Sequence, residues 1–237
     1  DQVRRLLIAE LQADAAAEGL DGGRRVVLAV GEEEDAGEAL GGLVLTVLSQ
    51  NTTDLTAARA FRRLRSRYPS WKKVLAAPRR GVEEALRVCG LHQQKARTIQ
   101  EFLRRLERER GRLSLAFLKK VPSAEAVGWL TASPGIGTKT AAVVLLFRLG
   151  HALMPVDTHI RRVCGRVGLV PEGTAADKVQ SALAPVAPRT AAGCAQMHLD
   201  LIWLGRDICA ARAPRCPECP LVEICRHARK LRVRRAG

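Results

Sequence analysis

Four cysteines lie within seventeen residues near the end of the chain, in the segment CAARAPRCPECPLVEIC, with the spacing C-x6-C-x2-C-x5-C. Such closely spaced cysteines constrain the fold when they share a metal or form disulfides, because the segment must then close on itself. A C-x2-C pair suits tetrahedral zinc as well as iron. The spacing of six, two and five is unlike common zinc ribbons, in which two C-x2-C pairs flank a longer loop. The four residues are Cys209, Cys216, Cys219 and Cys225.

The other three cysteines are expected to be buried and unreactive. Seven cysteines are an odd number, and no positively charged start leads into an apolar stretch and a cleavage site, so disulfides are not indicated. The three lie in segments that we predict to be helical, where a free thiol behaves as a small apolar side chain. They are Cys89, Cys164 and Cys194.

Length and composition indicate a folded protein outside the membrane. The chain has 237 residues, of which 47% are hydrophobic, and its mean hydropathy is near zero. A chain of this length can bury one large core or two modest ones. No run reaches the roughly 20 apolar residues that a membrane span requires. We therefore expect a soluble, cytoplasmic protein with no membrane partner.

The charge of the chain is strongly positive and unevenly distributed. The formal net charge is +15, but residues 1–40 hold four Arg against ten Asp and Glu, so residues 41–237 carry +21. A polycation attracts polyanions and gains free energy by releasing counterions from nucleic acid. The charge favours a nucleic-acid partner, although an arginine-rich surface that is merely solvated would have the same composition.

Helices dominate the predicted structure. Three segments space apolar residues at three and four and are rich in Ala, Leu, Arg and Glu, which predicts amphipathic helices. Glycine and proline breakers separate them. The acidic stretch GEEEDAGEALGG at 31–42 predicts an irregular connection before an apolar helix, LVLTVLSQ. The fold class is therefore all-α. The three amphipathic helices are predicted at 55–67, 93–110 and 139–149.

A helix-hairpin-helix is predicted for residues 123–150, SAEAVGWLTASPGIGTKTAAVVLLFRLG. Ser123 can start the first helix, SPGIG forms a tight turn, and the second helix starts at Thr138. Gly135 and Gly137 allow the backbone to approach another chain closely, and the unpaired amides that open the second helix suit a phosphate. An ordinary helical hairpin, whose glycines only permit the turn, is the alternative.

Lys139 and Asp157 are the candidate catalytic residues. Lys139 lies in the first turn of the second hairpin helix, where the helix dipole disfavours a cation. It is either a solvated charge or phosphate contact, or a nucleophile activated by the helix terminus and by partial burial. Asp157, in MPVDTHIRRVCGR, is either a helix N-cap or a carboxylate that faces Lys139 across a cleft. Sequence spacing alone does not place the two residues together.

Several motifs together resemble the endonuclease III family of DNA base-excision glycosylases. The resemblance runs from about Leu43 to Cys225, roughly four fifths of the chain. In chain order the motifs are LSQNTTD (48–54), GLHQQKA (90–96), SPGIGTKTAAVVL (133–145), VDTHIRRV (156–163), WLGRDIC (203–209) and the four-cysteine spacing.

The resemblance implies two helical domains with DNA bound across the cleft between them. One is a six-helix barrel, here 32–151, which contains the helix-hairpin-helix at about 123–150. The other is discontinuous, 1–31 and 152–237, and its loop 209–225 holds a 4Fe-4S cluster through the four closely spaced cysteines. Four protein ligands leave no open coordination site, so a structural role is expected rather than metal-assisted hydrolysis.

The resemblance also implies the chemistry, because the family's lysine and aspartate at the positions of Lys139 and Asp157 are catalytic. The amine attacks C1′ of a damaged nucleotide, the base leaves, and the resulting Schiff base drives β-elimination that cuts the strand 3′ to the lesion. An amine can form an imine with the sugar, whereas an activated water could only hydrolyse the glycosidic bond. Relatives that remove only the base resemble this chain in the hairpin and the cluster but lack a lysine there.

Two residues match the family's positions that fill the gap left by a flipped nucleotide. They are Leu91 and Asn51, and better-known members have a longer Gln at the position of Asn51. Gln50 points elsewhere and is no simple replacement. Taken alone, Asn51 would be a polar residue at a helix end and Leu91 a buried loop residue. His159, within VDTHI, is expected near the active cleft in a supporting role toward the DNA.

Basic residues near the cluster loop are expected to face the DNA backbone. The loop contributes Arg212 and Arg215, and the tail RHARKLRVRR at 226–235 adds six more Arg and Lys. The tail is either a frayed, solvated terminus or a weak phosphate contact.

The sequence therefore predicts a bifunctional DNA glycosylase and AP lyase that acts on oxidised pyrimidines such as thymine glycol. The expected partner is double-stranded DNA with a damaged base or an abasic site. The protein is expected to be a monomer in the cytoplasm, at a bacterial nucleoid. One alternative is a related helix-hairpin-helix glycosylase with another base preference or mainly AP-lyase activity. The other is a non-enzymatic DNA-binding module, which would need neither Lys139 nor Asp157.

Overall fold

The computed structural model of the protein describes residues 39–236, with side chains for residues 39–231. Over this range the chain is helical and contains no strand, which confirms the all-α prediction. None of the helices in the described range is long and apolar enough to cross a membrane. The described chain forms two compact units that meet in sequence between His151 and Ala152. The N-terminal parts of both predicted domains lie outside the described residues, so the domain limits stay a prediction.

The first unit is built around an apolar central helix. This helix, α1, is buried on more than one side because α2, α5 and α7 pack around it. The helices of the unit are α1 (Ala39–Leu48), α2 (Asp54–Arg67), α3 (Trp71–Ala76), α4 (Arg79–Ala85), α5 (His92–Arg110), a 3-10 helix (Ala116–Lys120), α6 (Ser123–Thr131) and α7 (Thr138–Leu149).

The amphipathic helices predicted from the sequence are α2, α5 and α7. The helices α2 and α5 start one residue before their predicted starts, and α7 starts at Thr138, as the hairpin prediction has it. Local signals explain this agreement. The Thr53 hydroxyl accepts a hydrogen bond from the Thr56 amide and caps α2. Gly111, with a φ of 66°, ends α5 in the left-handed conformation that glycine adopts without strain.

The helix-hairpin-helix consists of α6, a turn and α7. The turn contains Gly135 and Gly137, and the surroundings of these two glycines differ. Gly135 has a φ of +82°, and a Cβ added there would collide with the Thr98 side chain. Gly137 has an ordinary φ of −86° and no atom within 4 Å of its missing Cβ. Packing inside the protein therefore requires Gly135, whereas Gly137 leaves open space on the outside of the turn.

The second unit is organised around α8, which contacts α9, α10, α11 and a π-helical turn. The helices of this unit are α8 (Thr158–Val167), α9 (Ala176–Leu183), α10 (Ala191–Trp203), the π-helical turn (Leu204–Ile208), a 3-10 turn (Cys216–Glu218) and α11 (Arg226–Ala236).

The three cysteines outside the 209–225 loop are buried, as predicted. Cys164 lies in α8 and Cys194 in α10, but the helical prediction for Cys89 is wrong. Cys89 lies in a turn after α4, where its thiol donates to the Leu86 carbonyl at 3.1 Å. Burial raises the pKa of all three thiols, that of Cys164 to about 12, which disfavours the reactive thiolate.

Candidate active site

Lys139 is the second residue of α7, and its side chain is exposed. The partial burial that the nucleophile interpretation of Lys139 included is therefore wrong. Among the described residues no group forms a hydrogen bond or ion pair with its amine. No side chain caps the helix at Gly137, so the first amides of α7 are unpaired donors. A free primary amine thus lies beside a cluster of donors that suits an anion.

Gln50 links the hairpin to the loop that follows α1. Its Nε2 donates to the Gly135 carbonyl and to Oγ1 of Thr140, both at 3.2 Å. Thr140 follows Lys139 and is only 5% exposed. The side-chain amide of Gln50 is therefore bonded to the hairpin, so Gln50 does not take the place of the neighbouring Asn51.

Asn51 and Leu91 share an unusual backbone conformation. Their φ angles are +54° and +58°, in the left-handed region that residues other than glycine seldom adopt. Both side chains are exposed, and Leu91 retains 53% of its surface. The interpretation of Leu91 as a buried loop residue is wrong. Leu91 is thus exposed and held in a conformation that is seldom adopted, and its role toward DNA stays a prediction.

Asp157 caps the start of α8. Its Oδ1 accepts a hydrogen bond from the Ile160 amide at 2.8 Å, and the side chain is half-buried. Its other carboxylate oxygen has no hydrogen-bond partner among the residues that the structure describes. Nδ1 of His159, the second residue of α8, lies 3.1 Å from Nη2 of Arg162. The N-cap role therefore leaves one oxygen of Asp157 available for chemistry.

Two arginines of α8 hold the start of the cysteine loop. Arg162 donates to the carbonyls of Cys209 at 2.8 Å and Gly205 at 2.6 Å. Arg166 donates to the Ala210 carbonyl at 2.7 Å and lies 3.4 Å from Sγ of Cys209. The helix that begins at Asp157 is thus bonded directly to the loop.

The four closely spaced cysteines line one cavity whose other walls are mainly apolar. Burial first, and then the thiols of Cys225, Cys209 and Cys216, raise the pKa of Cys219 to about 11. Burial and the neighbouring thiols likewise raise the pKa of Cys225. Four clustered thiols disfavour thiolate formation unless a cation binds between them.

The number of these thiols and their shared cavity bear on the kind of metal they fit. Among the described residues no three His, Cys, Asp or Glu side chains close to the spacing that one metal ion requires. Zinc at about 2.3 Å from each sulfur would draw four thiolates into direct contact. An iron-sulfur cluster takes four cysteine thiolates, and four thiols that line one cavity with mainly apolar walls fit that group.

The two basic residues of the cysteine loop differ in their contacts. Arg215 donates to the Asp207 carbonyl at 2.7 Å and to the Glu218 carboxylate at 2.8 Å, so it stabilises the loop itself. Arg212 is exposed and is the better placed of the two to contact a ligand. The tail after Cys225 is helical through Ala236, and both its solvated state and its weak phosphate contact stay predictions.

Lys95 is a buried residue that sequence reasoning missed. It is 2% exposed, and its Nζ donates to the Leu48 carbonyl at 2.8 Å. Burial lowers the pKa of its ammonium, and the neighbouring Cys89 opposes this shift. The signal was present in GLHQQKA, where a lysine occupies the stripe of α5 that continues in the buried Ile99 and Phe102.

Each unit thus brings together part of the predicted site. In the first unit, Gln50 connects the turn of Gly135 and Gly137, and the helix of Lys139, to the loop of Asn51. In the second unit, α8 joins Asp157 and His159 to the loop of the four cysteines. The two candidate catalytic residues, Lys139 and Asp157, belong to different units.

Known proteins share this arrangement of sequence and fold. Residues 44–189 match the family described as HhH-GPD superfamily base excision DNA repair protein. Endonuclease III of Bacillus subtilis is 31% identical over 188 residues, which are 79% of this chain and 81% of that protein. An Arabidopsis thaliana protein named as a DNA glycosylase is 41% identical over 140 residues, 59% of this chain. The match spans about half of that relative, 48% of its length.

A solved structure adds a likeness in three dimensions. A trapped endonuclease III–DNA covalent intermediate has a TM-score of 0.68 and 28% identity to this chain, and the match covers 88% of this chain and 96% of the other.

Proposed function

Because the chain belongs to the HhH-GPD superfamily of base excision DNA repair proteins, we propose that it excises oxidised pyrimidines from double-stranded DNA. It is a DNA N-glycosylase and AP lyase, and thymine glycol and dihydrouracil are its proposed lesions. The proposed nucleophile is Lys139. The observation that carries this proposal is the exposed, unpartnered amine of Lys139 at the uncapped start of α7.

An amine nucleophile accounts for both activities with one residue. Nζ of Lys139, once deprotonated, forms a bond to C1′ of the damaged nucleotide as the glycosidic C1′–N bond breaks and the base takes the electron pair. The sugar opens to a Schiff base, loss of a C2′ proton breaks the C3′–O bond, and the strand is cut. Hydrolysis of the imine then frees the lysine.

Asp157 is the proposed partner of Lys139 in the chemistry. A carboxylate can accept the proton released when the amine attacks, or stabilise the positive charge that develops on the sugar. Since only Oδ1 is used to cap α8, the other oxygen is available for either task. His159 is proposed to support this carboxylate from the same helix.

The proposed DNA contacts use the exposed features of the first unit. The unpaired amides and the open surface at Gly137 suit a phosphate, and Gly135 shapes the turn that presents them. Asn51 and Leu91 are proposed to fill the gap that a flipped nucleotide leaves. The proposed DNA-bound state is a monomer on a duplex with a damaged base or an abasic site.

The proposed cofactor is a 4Fe-4S cluster held by Cys209, Cys216, Cys219 and Cys225. When bound, it would supply a covalent link that closes the loop of residues 209–225. With its four ligands from the protein, it leaves the bond-breaking steps to Lys139 and Asp157. The loop's bonds to Arg162 and Arg166 then fix the helix that Asp157 starts.

Borohydride trapping on a panel of duplexes tests the proposed function. The wild-type protein is incubated with labelled duplexes that carry thymine glycol, dihydrouracil, 8-oxoguanine, an abasic site or no lesion, and borohydride is added. We expect covalent adducts with thymine glycol, dihydrouracil and the abasic site, because borohydride reduces an imine to a stable amine.

The panel separates the ways in which the proposal can fail. Trapping on 8-oxoguanine and not on the pyrimidine lesions would contradict the substrate class but keep the Schiff base. Trapping on the abasic site alone would identify an AP lyase without base excision. No adduct on any duplex would contradict the lysine mechanism.

The two hairpin glycines provide a matched pair of variants. Gly135→Ala places a side chain at a φ of +82° against Thr98, and we expect it to lower the free energy of unfolding by about 2 kcal/mol. Gly137→Ala fits the backbone and meets no protein atom, so we expect near-native stability and DNA binding weakened on the order of tenfold. Thermal unfolding and titration of an abasic-site duplex measure the two effects.

Gly137→Ser is the control for the helix cap. Gly137 is the N-cap residue of α7, and alanine is a poorer N-cap than glycine. Serine caps well but adds the same bulk to the surface. If Gly137→Ser binds DNA as tightly as the wild type, the open surface at Gly137 is not a DNA contact.

A further inference from the structure

We infer that Gln50 is a positioning residue that couples the loop of Asn51 to the helix of Lys139. The inference rests on the proposed roles of these two residues and adds a link between them. Gln50 itself touches no reacting atom. Its amide holds the loop that enters the DNA stack and the helix that presents the nucleophile in one arrangement.

The first support is the pair of hydrogen bonds made by one amide nitrogen. Nε2 of Gln50 donates to the Gly135 carbonyl and to the Thr140 hydroxyl, both at 3.2 Å. A side-chain amide has two N–H groups, so both bonds can form at once. One acceptor lies in the hairpin turn and the other directly follows Lys139, so Gln50 bridges the turn and the first turn of α7.

The second support is that the same loop is anchored at its other end. The buried ammonium of Lys95 donates to the Leu48 carbonyl at 2.8 Å. Lys95 lies in the first turn of α5, and its amide donates to the Leu91 carbonyl at 2.9 Å. The short segment from Leu48 to Asn51 is therefore bonded to the helix that follows Leu91 and to the hairpin.

The third support is the environment of Gln50, which argues against a purely structural role. Gln50 is half-buried and its bond to Gly135 is exposed, so water can satisfy that carbonyl when the amide is removed. The fold does not need this bond to avoid a buried, unpaired group. Loss of the amide should free the loop and the hairpin to move separately while the helices stay folded.

Gln50→Met and Gln50→Glu test the inference by the rate of borohydride trapping on an abasic-site duplex at saturating protein. Methionine keeps the length of the side chain and removes both donors. We expect Gln50→Met to trap about tenfold more slowly than the wild type, with its melting temperature within about 2 °C. Gln180→Met is the matched control, because Gln180 is a half-buried glutamine of α9, and it should trap at the wild-type rate.

Gln50→Glu tests the inference through the pH dependence of its trapping rate, which general damage to the structure would not change. Its carboxylate cannot donate, but its protonated form can donate one hydrogen bond. The protonated fraction of a glutamate with a pKa of about 4.3 rises about tenfold for each pH unit from 8 toward 5. We expect the trapping rate of Gln50→Glu, divided by that of the wild type at the same pH, to rise over this range.

The Thr140→Val variant tests the partner of the bond. If Gln50 acts partly through Thr140, the two replacements remove the same bond. The fold reduction in trapping rate of the double variant Gln50→Met with Thr140→Val should then be smaller than the product of the two single fold reductions. The inference would be overturned if Gln50→Met trapped at the wild-type rate. It would also be overturned if the effects of Gln50→Met and Thr140→Val on the trapping rate multiplied and the relative rate of Gln50→Glu did not change with pH. Failure of the wild type to trap would instead overturn the proposed function and the inference with it.

Discussion

Replacing Lys139 with alanine is expected to abolish the borohydride adduct and to slow strand cleavage at a thymine-glycol site by about a thousandfold or more. The reason is chemical, because no other residue in the hairpin offers an amine at the uncapped start of α7. A water molecule can replace the amine only in hydrolysis of the glycosidic bond. Any residual activity should therefore release the base and leave the abasic strand intact until it is treated with alkali.

Lys120→Ala is the control for the loss of one positive charge. Lys120 is exposed at the end of the 3-10 helix, and its replacement should leave the trapping rate unchanged. Because Lys139 is exposed too, both variants should unfold at the wild-type temperature. An adduct that forms at the wild-type rate in Lys139→Ala would assign the nucleophile to another amine. Equal losses in the two variants would reduce Lys139 to a phosphate contact.

Local signals in the sequence predicted the helices and the hairpin well. The spacing of apolar residues and the caps depend on neighbours within four positions, and they placed α2, α5 and α7 to within one residue. The same reasoning misplaced Cys89, because a buried thiol in a turn and one in a helix differ in backbone conformation and not in residue type. The role assigned to each of the two units came from the resemblance to a family. The spacing of apolar residues did not indicate those roles.

The exposure and the hydrogen-bond partners of the side chains in the candidate site were harder to predict, since they depend on residues distant in sequence. The sequence offered burial as one reason for a lysine at position 139, and the structure leaves that side chain exposed. Arg215 was expected to face DNA, yet it donates to a carbonyl of the π-helical turn and to a carboxylate of its own loop. The bridge from Gln50 to residues 85 and 90 positions away is of the same kind. No pattern within one segment contains such information.

Replacing Cys219 with alanine is expected to remove the bound metal and to lower the free energy of unfolding by about 4 kcal/mol or more. The structure supplies the reason, because Cys219 lines the cavity together with the three other thiols and a cluster would tie the loop of residues 209–225 to itself. The purified variant should lose its visible absorbance and its iron, and should unfold at a lower urea concentration. Base excision should fall with the loss of order around α8.

Cys194→Ala is the control, since Cys194 is a buried cysteine of the same unit that lies outside the cavity. It should retain the metal and lose about 1 kcal/mol at most, the usual cost of removing a small buried group. Metal analysis of the wild type decides between the two kinds of centre. About four irons per chain would identify a 4Fe-4S cluster, whereas one zinc per chain would identify a tetrahedral zinc site. A wild type that contains neither metal, and a Cys219→Ala variant as stable as Cys194→Ala, would show that the cavity holds no cofactor and that the bonds from Arg162 and Arg166 suffice to order the loop.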